Sequence, residues 1–276
     1  MRVAVVGHVE WIEFGRVDRV PAPGEIVHAV EAWEEPGGGG AVAAVQLMKL
    51  AGEATLYTAL GDDELGHRAR DELATLGLRV EATFRPERQR RAFVHLDEAG
   101  ERTITVIGDR LGPRADDPLP WQELRQCDAV YFTAGDPGAV RAARGARTLV
   151  ATARGLETLV AAGVELDALV ASGSDRGERY DTGDLEPPPR LVVRTAGAAG
   201  GKWESAADGG GWEALALPGP VRDAYGCGDS FAAGLTYGLG AGLDVGEAVR
   251  LGARCGAACL TGRGPYEGQL VLAPRR

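Results

Sequence analysis

The sequence DAYGCGDSFAAGL, residues 223–235, places a glycine-rich turn directly before a segment of helical character. The free backbone N–H groups of a first helical turn point along the helix axis and, with the helix dipole, favour an anion. Small residues such as Gly226 and Gly228 would let a phosphate approach that backbone. The turn therefore predicts an anion site at the start of a helix.

Asp229 lies in the same first turn, and its carboxylate has two interpretations. A helix-start aspartate is favourable to the helix dipole by ~0.3–1 kcal/mol, which would make it purely structural. An acidic group beside an anion site also suits phosphoryl transfer to a hydroxyl. The N–H groups would hold the phosphoryl charge while the carboxylate accepts the hydroxyl proton.

Strands and helices alternate along the rest of the chain. Residues 2–6 form a continuous apolar run, and helical patterns end at Gly52 and Gly77, two suitable C-caps. This alternation predicts an α/β fold with a mainly parallel sheet and helices on both faces. The predicted strands are 2–6, 54–60, 129–133, 147–151, 167–171 and 190–195, and the predicted helices are 40–51, 64–76, 227–241 and 244–261.

Two segments, 11–34 and 89–107, are strand-like and show no helical period. The second contains a turn at Glu98-Ala99-Gly100 between two apolar stretches, which predicts a hairpin. We expect both segments to leave the main sheet and pair with each other as a small flap. Residues 1–276 are treated as a single domain that includes this flap.

Composition excludes several classes of protein. Hydrophobic residues make up 45% of the 276, enough for a core, so a disordered chain is excluded. The net charge of -10 argues against a nucleic-acid binder, which needs a basic face. No segment reaches the roughly 18 apolar residues of a membrane span, and the N-terminal apolar run is too short for a signal peptide. We expect a cytoplasmic protein whose four cysteines, none in a CxxC pattern, are reduced thiols.

Standard nucleotide motifs are absent. Gly201-Lys202 is followed by Trp203, so the P-loop pattern fails, and Gly7 is followed by His8, so the Rossmann pattern also fails. The cluster Gly209–Gly211 lies between polar residues and predicts a hairpin turn.

The order and spacing of several short motifs resemble the ribokinase-like (PfkB) carbohydrate kinases over nearly the whole chain. Each motif alone is weak, but their succession is specific. The family's Asp-Thr-x-Gly-Ala-Gly-Asp signature corresponds to residues 223–229, and its glycine pair that opens a helix corresponds to residues 37–40. The Gly-Asp-Asp, Pro-Gly-Glu and Gly-Glu-Arg-Thr motifs correspond to residues 61–63, 23–25 and 100–103.

The resemblance implies a three-layer ribokinase-like core with a mainly parallel sheet and a small β-strand lid. It implies an ATP-dependent kinase that phosphorylates a hydroxymethyl group of a sugar, sugar acid or nucleoside. Asp229 would be the catalytic base, and Gly226, Cys227 and Gly228 would donate the anion-hole N–H groups. Mg²⁺ would accompany ATP, and we expect a homodimer formed through the lid.

The same resemblance assigns the remaining site residues. Asp223 would help hold a monovalent cation such as K⁺, and Asp175 would bind Mg²⁺ through water. The segment 195–200 would line the ATP phosphates and ribose, with an ordinary hairpin turn as the alternative. The nucleotide-binding residues would be Thr195, Gly197, Gly200, Ser172, Asp175 and Ala257, and the acceptor-binding residues would be Glu10, Gly38, Gly39, Val42 and Arg102.

Three positions depart from the family pattern. Val42 stands where members carry a substrate-binding Asn, and Ile12 where they carry an Asp, although Glu10 and Glu13 lie beside it. Ser172 replaces the Asn of an Asn-x-x-Glu motif. Because a buried polar group without a partner is costly, losing these groups implies a different acceptor or a non-catalytic protein on the kinase fold.

Two arginines of the predicted lid are candidates for binding the acceptor. Arg90 or Arg102 could bind a carboxylate or phosphate on the acceptor. The alternative is a salt bridge within the lid, to Glu98 or Glu101.

Overall fold

The structure, a computed structural model, describes residues 1–272. Within that range the chain forms thirteen strands and six α-helices, joined by short turns. The strands are β1 (Val3–Val6), β2 (Glu10–Arg16), β3 (Glu31–Gly37), β4 (Thr55–Gly61), β5 (Arg79–Arg85), β6 (Arg91–Leu96), β7 (Arg102–Ile107), β8 (Ala129–Phe132), β9 (Thr148–Thr152), β10 (Ala168–Ser172), β11 (Leu191–Thr195), β12 (Gly201–Ser205) and β13 (Gly209–Trp212). The helices are α1 (Gly38–Ala51), α2 (Glu64–Thr75), α3 (Pro137–Ala143), α4 (Leu156–Ala162), α5 (Cys227–Gly240) and α6 (Val245–Cys259).

A nine-stranded sheet with the order β13-β12-β11-β10-β9-β8-β1-β4-β5 forms the centre of the fold. The strands from β11 to β5 in that order run parallel, whereas β12 and β13 are antiparallel additions at one edge. The central strands are apolar throughout because both of their faces are covered; all four residues of β1 and of β8 are buried.

Alternate residues of β1 enter two separate cores. Val3 and Val5 pack with α1, α5 and α6 on one face of the sheet. Ala4 and Val6 pack with α3 and α4 on the other face. The period-2 alternation of strand side chains thus produces the three layers, and the predicted fold class is confirmed.

A second sheet has the order β3-β2-β6-β7. Strand β2 pairs parallel with β6, and the β6–β7 hairpin turns at residues 97–101. The two segments that break the helical pattern therefore pair as expected, and we call this sheet the lid. β7 is one of its two edge strands, and Ile104, Val106 and Ile107 are exposed there. The homodimer through the lid stays a prediction.

Two details differ from the expectations. Strand β5 was not predicted, although Arg79–Arg85 alternates polar and apolar residues, which is the pattern of a half-buried strand. The prediction of a turn at Gly209–Gly211 is wrong: these glycines are strand residues paired with β12, and the turn lies just before them. A Cβ at Gly210 would be 2.9 Å from the Trp203 indole, so glycine there lets the ring lie on the strand.

Two further expectations concern membranes and cysteines. Among residues 1–272, no helix has both the length and the apolar character needed to cross a membrane. All four cysteines are free thiols.

Candidate active site

The first turn of α5 presents an open backbone. Gly226 precedes the helix in the left-handed conformation (φ 80°) and offers no side chain to cap it. The N–H groups of Cys227, Gly228 and Asp229 have no acceptor among the described residues. A Cβ at Gly228 would meet no atom within 4 Å. This turn is thus an accessible set of donors that suits an anion.

Asp229 is a carboxylate whose pKa is shifted towards neutrality. Burial raises the pKa of Asp229 to about 6, and the negative charge of Glu178 adds to the rise. The positive charges of Arg102 and Arg154 act in the opposite direction. A base with a pKa just below physiological pH is ionised and can still accept a proton efficiently.

Gly38 and Gly39, which open α1, lie against Asp229. A Cβ at Gly39 would be 2.7 Å from Asp229 Oδ1 and 3.6 Å from His8 Cε1. Gly38 has a φ of 84°, and its N–H donates to the Tyr225 hydroxyl at 2.9 Å. The start of α1 and the first turn of α5 therefore lie against each other. Acceptor binding by Gly38 and Gly39 stays a prediction.

A buried polar cluster follows β1 at its carboxyl end. His8 and Glu10 are only 6% and 8% exposed. Glu10 Oε1 lies 2.6 Å from Arg90 Nε and 3.6 Å from His8 Nε2. Burial lowers the pKa of His8, and the charges of Arg110, Arg90 and Arg154 add to this, so its ring is neutral. His8 Nδ1 is buried with no hydrogen-bond partner in the described residues, which leaves it free for a ligand.

The structure corrects one of the acceptor residues. Val42 is fully buried and packs beneath Gly226, where a Cβ would be 2.9 Å from Val42 Cγ1. Its side chain supports the α5 turn from below, so we do not retain it as an acceptor contact. Ile12 is also fully buried. Of the two acids beside Ile12, Glu10 lies in the polar cluster, whereas Glu13 faces away and pairs with Arg91.

Arg102 reaches from β7 of the lid to the α5 turn. Its guanidinium donates to the Ala224 carbonyl and lies 6.0 Å from the centre of the Tyr225 ring. Arg102 makes no ion pair with Glu98 or Glu101. Arg90 does form a salt bridge within the lid, but with Glu10 of β2 and not with Glu98 or Glu101. Acceptor binding by Arg102 stays a prediction; its positive charge acts to lower the pKa of Asp229.

The predicted nucleotide side is the turn between β11 and β12. Gly197 and Gly200 both have positive φ, 55° and 79°, and a Cβ at Gly197 would meet nothing within 4 Å. Thr195 precedes this turn and Ala257 lies half-buried on α6. This segment is thus a hairpin turn with open space beside it. That geometry suits both an ordinary turn and a turn that lines the ATP phosphates and ribose. The nucleotide roles of these residues stay predictions.

Asp175, the predicted Mg²⁺ residue, is held in place by several hydrogen bonds. Asp175 Oδ2 accepts from Arg154 at 2.5 Å and Oδ1 from Gly177 N–H, while Ser172 Oγ accepts from the Asp175 N–H. Among residues 1–272, no group of three or more His, Cys, Asp or Glu side chains could hold a metal ion. Mg²⁺ that accompanies ATP needs only one or two carboxylates besides the phosphates, so contact between Asp175 and Mg²⁺ through water stays a prediction.

Asp223 joins two loops beneath the α5 turn. It is fully buried, and its carboxylate accepts from the N–H groups of Tyr225 at 2.8 Å and Gly264 at 3.0 Å. Burial raises the pKa of Asp223, and these hydrogen bonds offset part of the rise. A cation beside this carboxylate would offset the cost of burying its charge. The monovalent-cation role stays a prediction.

A cavity of about 730 Å³ lies at the carboxyl ends of β8 and β9. We call it the arginine cleft, because it is lined by six arginines: Arg85, Arg110, Arg114, Arg154, Arg176 and Arg179. Thr133 also lines it, 2% exposed and with a buried Oγ1 that has no hydrogen-bond partner in the described chain. The crevice outside the carboxyl ends of parallel strands is where α/β proteins bind ligands.

Sequence reasoning missed several polar residues of this region. Thr133 directly follows β8, and His8 lies two residues after the end of β1. These positions at the carboxyl ends of buried parallel strands are a signal that would have identified both residues as ligand-facing. Arg110, Arg154 and Glu178 lie in loops with no motif, and only the tertiary structure brings them together.

Comparison with known families identifies the class of protein. The family model described as pfkB family carbohydrate kinase matches residues 1–162 and 182–270. The chain belongs to the pfkB carbohydrate kinase family. The chain is also similar to an ATP-dependent ribose-1-phosphate kinase of Halopiger xanaduensis, with 34% identity over 157 residues. That match covers 54% of this chain and spans about half, 50%, of the length of the curated relative.

Solved structures share the fold. The ribokinase of Thermotoga maritima superposes with a TM-score of 0.77 at 19% identity, covering 98% of this chain and 96% of that one. The ribokinase of Cryptococcus neoformans in complex with ADP superposes with a TM-score of 0.76 at 20% identity, again covering 98% and 96%. At this level of identity the similarity establishes the ribokinase-like fold.

Proposed function

We propose that this protein is an ATP-dependent kinase that transfers the γ-phosphoryl group to a hydroxymethyl group of a sugar-class acceptor. The observation that carries the proposal is Asp229, a carboxylate with a raised pKa, next to three N–H groups that have no acceptor in the described chain. Family membership supports the reaction class. The name of the Halopiger xanaduensis relative supports a ribose derivative as one acceptor to test first.

The residues divide the chemistry between them. Asp229 accepts the proton of the acceptor hydroxyl while the oxygen of that hydroxyl forms a bond to the γ-phosphorus. The bond from that phosphorus to the β,γ-bridging oxygen breaks, and ADP leaves. The N–H groups of Cys227, Gly228 and Asp229 stabilise the negative charge of the group in transfer, and Arg102 adds positive charge from the lid side.

The neighbouring groups orient the acceptor. Gly38 and Gly39 bring the start of α1 against Asp229, which leaves room for a hydroxymethyl group but not for a side chain. Glu10 and His8 supply a carboxylate and a free ring nitrogen for acceptor hydroxyls. Mg²⁺ bound to ATP would neutralise phosphate charge. These contacts replace the polar groups lost at Val42 and Ile12.

The experiment is a thermal-shift panel of sugars, sugar phosphates, sugar acids and nucleosides with MgATP, followed by ADP-release assays on every hit. We expect at least one sugar-class compound to raise the Tm and to drive ADP formation, because a ligand that binds only the native state stabilises it. A compound that raises the Tm while none drives ADP formation would instead support the non-catalytic alternative.

A further inference from the structure

The arginine cleft carries a net positive charge in an acidic protein, because six arginines line it against four carboxylates, those of Glu87, Asp109, Asp136 and Glu157. Four of its arginines, Arg110, Arg114, Arg176 and Arg179, form no ion pair among residues 1–272. The other two are engaged: Arg85 with Asp117 at 2.8 Å, and Arg154 with Asp175 and Glu178. A chain with a net charge of -10 has ample carboxylates to pair these guanidinium groups. Leaving them unpaired in one cavity suits an anionic ligand.

The charged form of Arg110 is disfavoured by the other arginines around it. Partial loss of solvation lowers its pKa, and the positive charges of Arg90 and Arg154 lower it further. Glu10 acts in the opposite direction but is already bound to Arg90. An anion placed beside Arg110 would relieve this repulsion, because an opposite charge nearby favours the charged guanidinium.

The arginine cleft and Asp229 belong to one site. Thr133, which lines the cleft, lies beside Gly7, where a Cβ would be 2.3 Å from Thr133 Oγ1. His8 follows Gly7 directly, and the ring of His8 is next to Gly39 and Asp229. The charge of Arg154 acts on both His8 and Asp229. A ligand of sugar size can therefore extend from Asp229 past His8 into the cleft.

The arginine cleft and the α5 turn are built on opposite faces of the main sheet. Arg154 of the cleft also pairs with Asp175, a predicted nucleotide-binding residue. Phe132, Ala153 and Leu156 of the cleft lining belong to the core packed with α3 and α4. The α5 turn rises from the other core, which holds α1, α5 and α6. ATP phosphates at the α5 turn and an anion in the cleft would thus approach Asp229 from different sides.

We propose that the acceptor is a sugar that already carries a phosphate group, held in the arginine cleft by Arg110 and its unpaired neighbours, while a free hydroxymethyl group meets Asp229. This inference rests on the proposed function. Several unpaired guanidinium groups around one cavity match a phosphate, which offers three charged oxygens, better than a single carboxylate. The cavity volume of about 730 Å³ accommodates a sugar phosphate.

The test compares each free sugar with its phosphate at saturating MgATP. Ribose is paired with ribose 1-phosphate and fructose with fructose 1-phosphate, and ribonate provides a carboxylate. We expect one phosphate to exceed its free sugar in kcat/KM by about 10- to 100-fold, the range of a charge-assisted hydrogen bond. Arg110→Ala should lower kcat/KM for the phosphorylated sugar far more than for the free sugar, and so remove most of that advantage, with KM for ATP unchanged.

The matched control is Arg125→Ala, an exposed arginine without an ion pair in the described residues, which precedes β8 at the opposite edge of the sheet. It should leave every parameter unchanged. Arg110→Lys, which keeps the charge but loses the planar donor pair, should fall between wild type and Arg110→Ala.

Each result that differs from these expectations contradicts a different claim. Equal use of free and phosphorylated sugars, or preference for ribonate, overturns the phosphate inference and leaves the kinase proposal intact. A rise in KM for ATP in Arg110→Ala would show that the cleft serves the nucleotide. ADP formation with none of the compounds, here and across the broad panel, would count against the proposed function itself.

Discussion

We expect Asp229→Asn to lower kcat by about 10²–10⁴-fold, the contribution of a positioned general base. The amide has nearly the same shape as the carboxylate but cannot accept the hydroxyl proton. Binding of ATP should persist, because the N–H groups of the α5 turn are unchanged. The measurements are steady-state ADP release and the Kd of ATP by calorimetry.

The matched control for this variant is Asp18→Asn, an exposed aspartate in the loop after β2 with no ion pair in the described residues. It should retain wild-type turnover. Turnover of Asp229→Asn within a few-fold of wild type would remove Asp229 from the mechanism.

Asp229→Asn should also stabilise the protein at pH 8. Because burial raises the pKa of Asp229 from 3.8 to about 6, the native state holds this proton more tightly than the unfolded chain does. The resulting stability is present at low pH and is lost as the pH rises through that window. The shift alone corresponds to about 3 kcal/mol. We expect a smaller gain because the carboxylate remains partly open to solvent, and Tm measured at pH 5 and pH 8 tests it.

The same pKa predicts the pH dependence of catalysis. Since only the ionised carboxylate accepts a proton, kcat/KM should rise about tenfold per pH unit below about pH 6 and level off above it. The rise should persist in Asp18→Asn. A flat profile between pH 5 and pH 8 in wild-type enzyme would contradict the assignment of Asp229 as the base.

Gly228→Ala should separate stability from activity. Its Cβ would meet no protein atom within 4 Å, so nothing in the protein requires glycine at the second position of α5. Alanine there should raise stability by up to about 1 kcal/mol through helix propensity. It would also place a methyl group where we propose that a phosphate contacts the backbone. We expect kcat/KM for ATP to fall by up to about 10²-fold, the cost of a displacement near 1 Å.

Gly246→Ala is the matched control, because Gly246 is the second residue of α6 and its Cβ would make only ordinary contacts, at 3.4 Å or more. It should give a similar gain in Tm with unchanged kinetics. If Gly228→Ala also left the kinetics unchanged, the α5 turn would not contact the phosphates.

The elements with strong local signals could be predicted from the sequence. Helix α1 ends at Gly52, which adopts the expected left-handed conformation with a φ of 88°. The buried strands β1, β8 and β10 are short apolar runs within a residue or two of their predicted bounds. The turn predicted at Gly209–Gly211 was wrong because glycine is common in turns but is also needed in a strand where a large side chain packs closely, as Trp203 does against Gly210.

The sequence predicted only those parts of the candidate site that lie within a recognisable motif. Asp229 and the α5 turn follow from residues 223–229 alone. The sequence could not show that Val42 is buried, because it packs against Gly226, which is distant in the chain. The arginine cleft arises from loops after β7, β8, β9 and β10, which the sheet order brings to one edge. No local pattern encodes that assembly.

The most direct measurement of the central claim is ³¹P NMR of the protein with MgATP and a compound that raises its Tm. The account predicts that the γ-phosphate signal is replaced by an equal amount of a phosphomonoester that couples to two equivalent or near-equivalent protons, the signature of a phosphate on a hydroxymethyl group. Asp229→Asn should give almost none of it in the same time. ATP breakdown to ADP and inorganic phosphate, or product formation that is undiminished in Asp229→Asn, would contradict it.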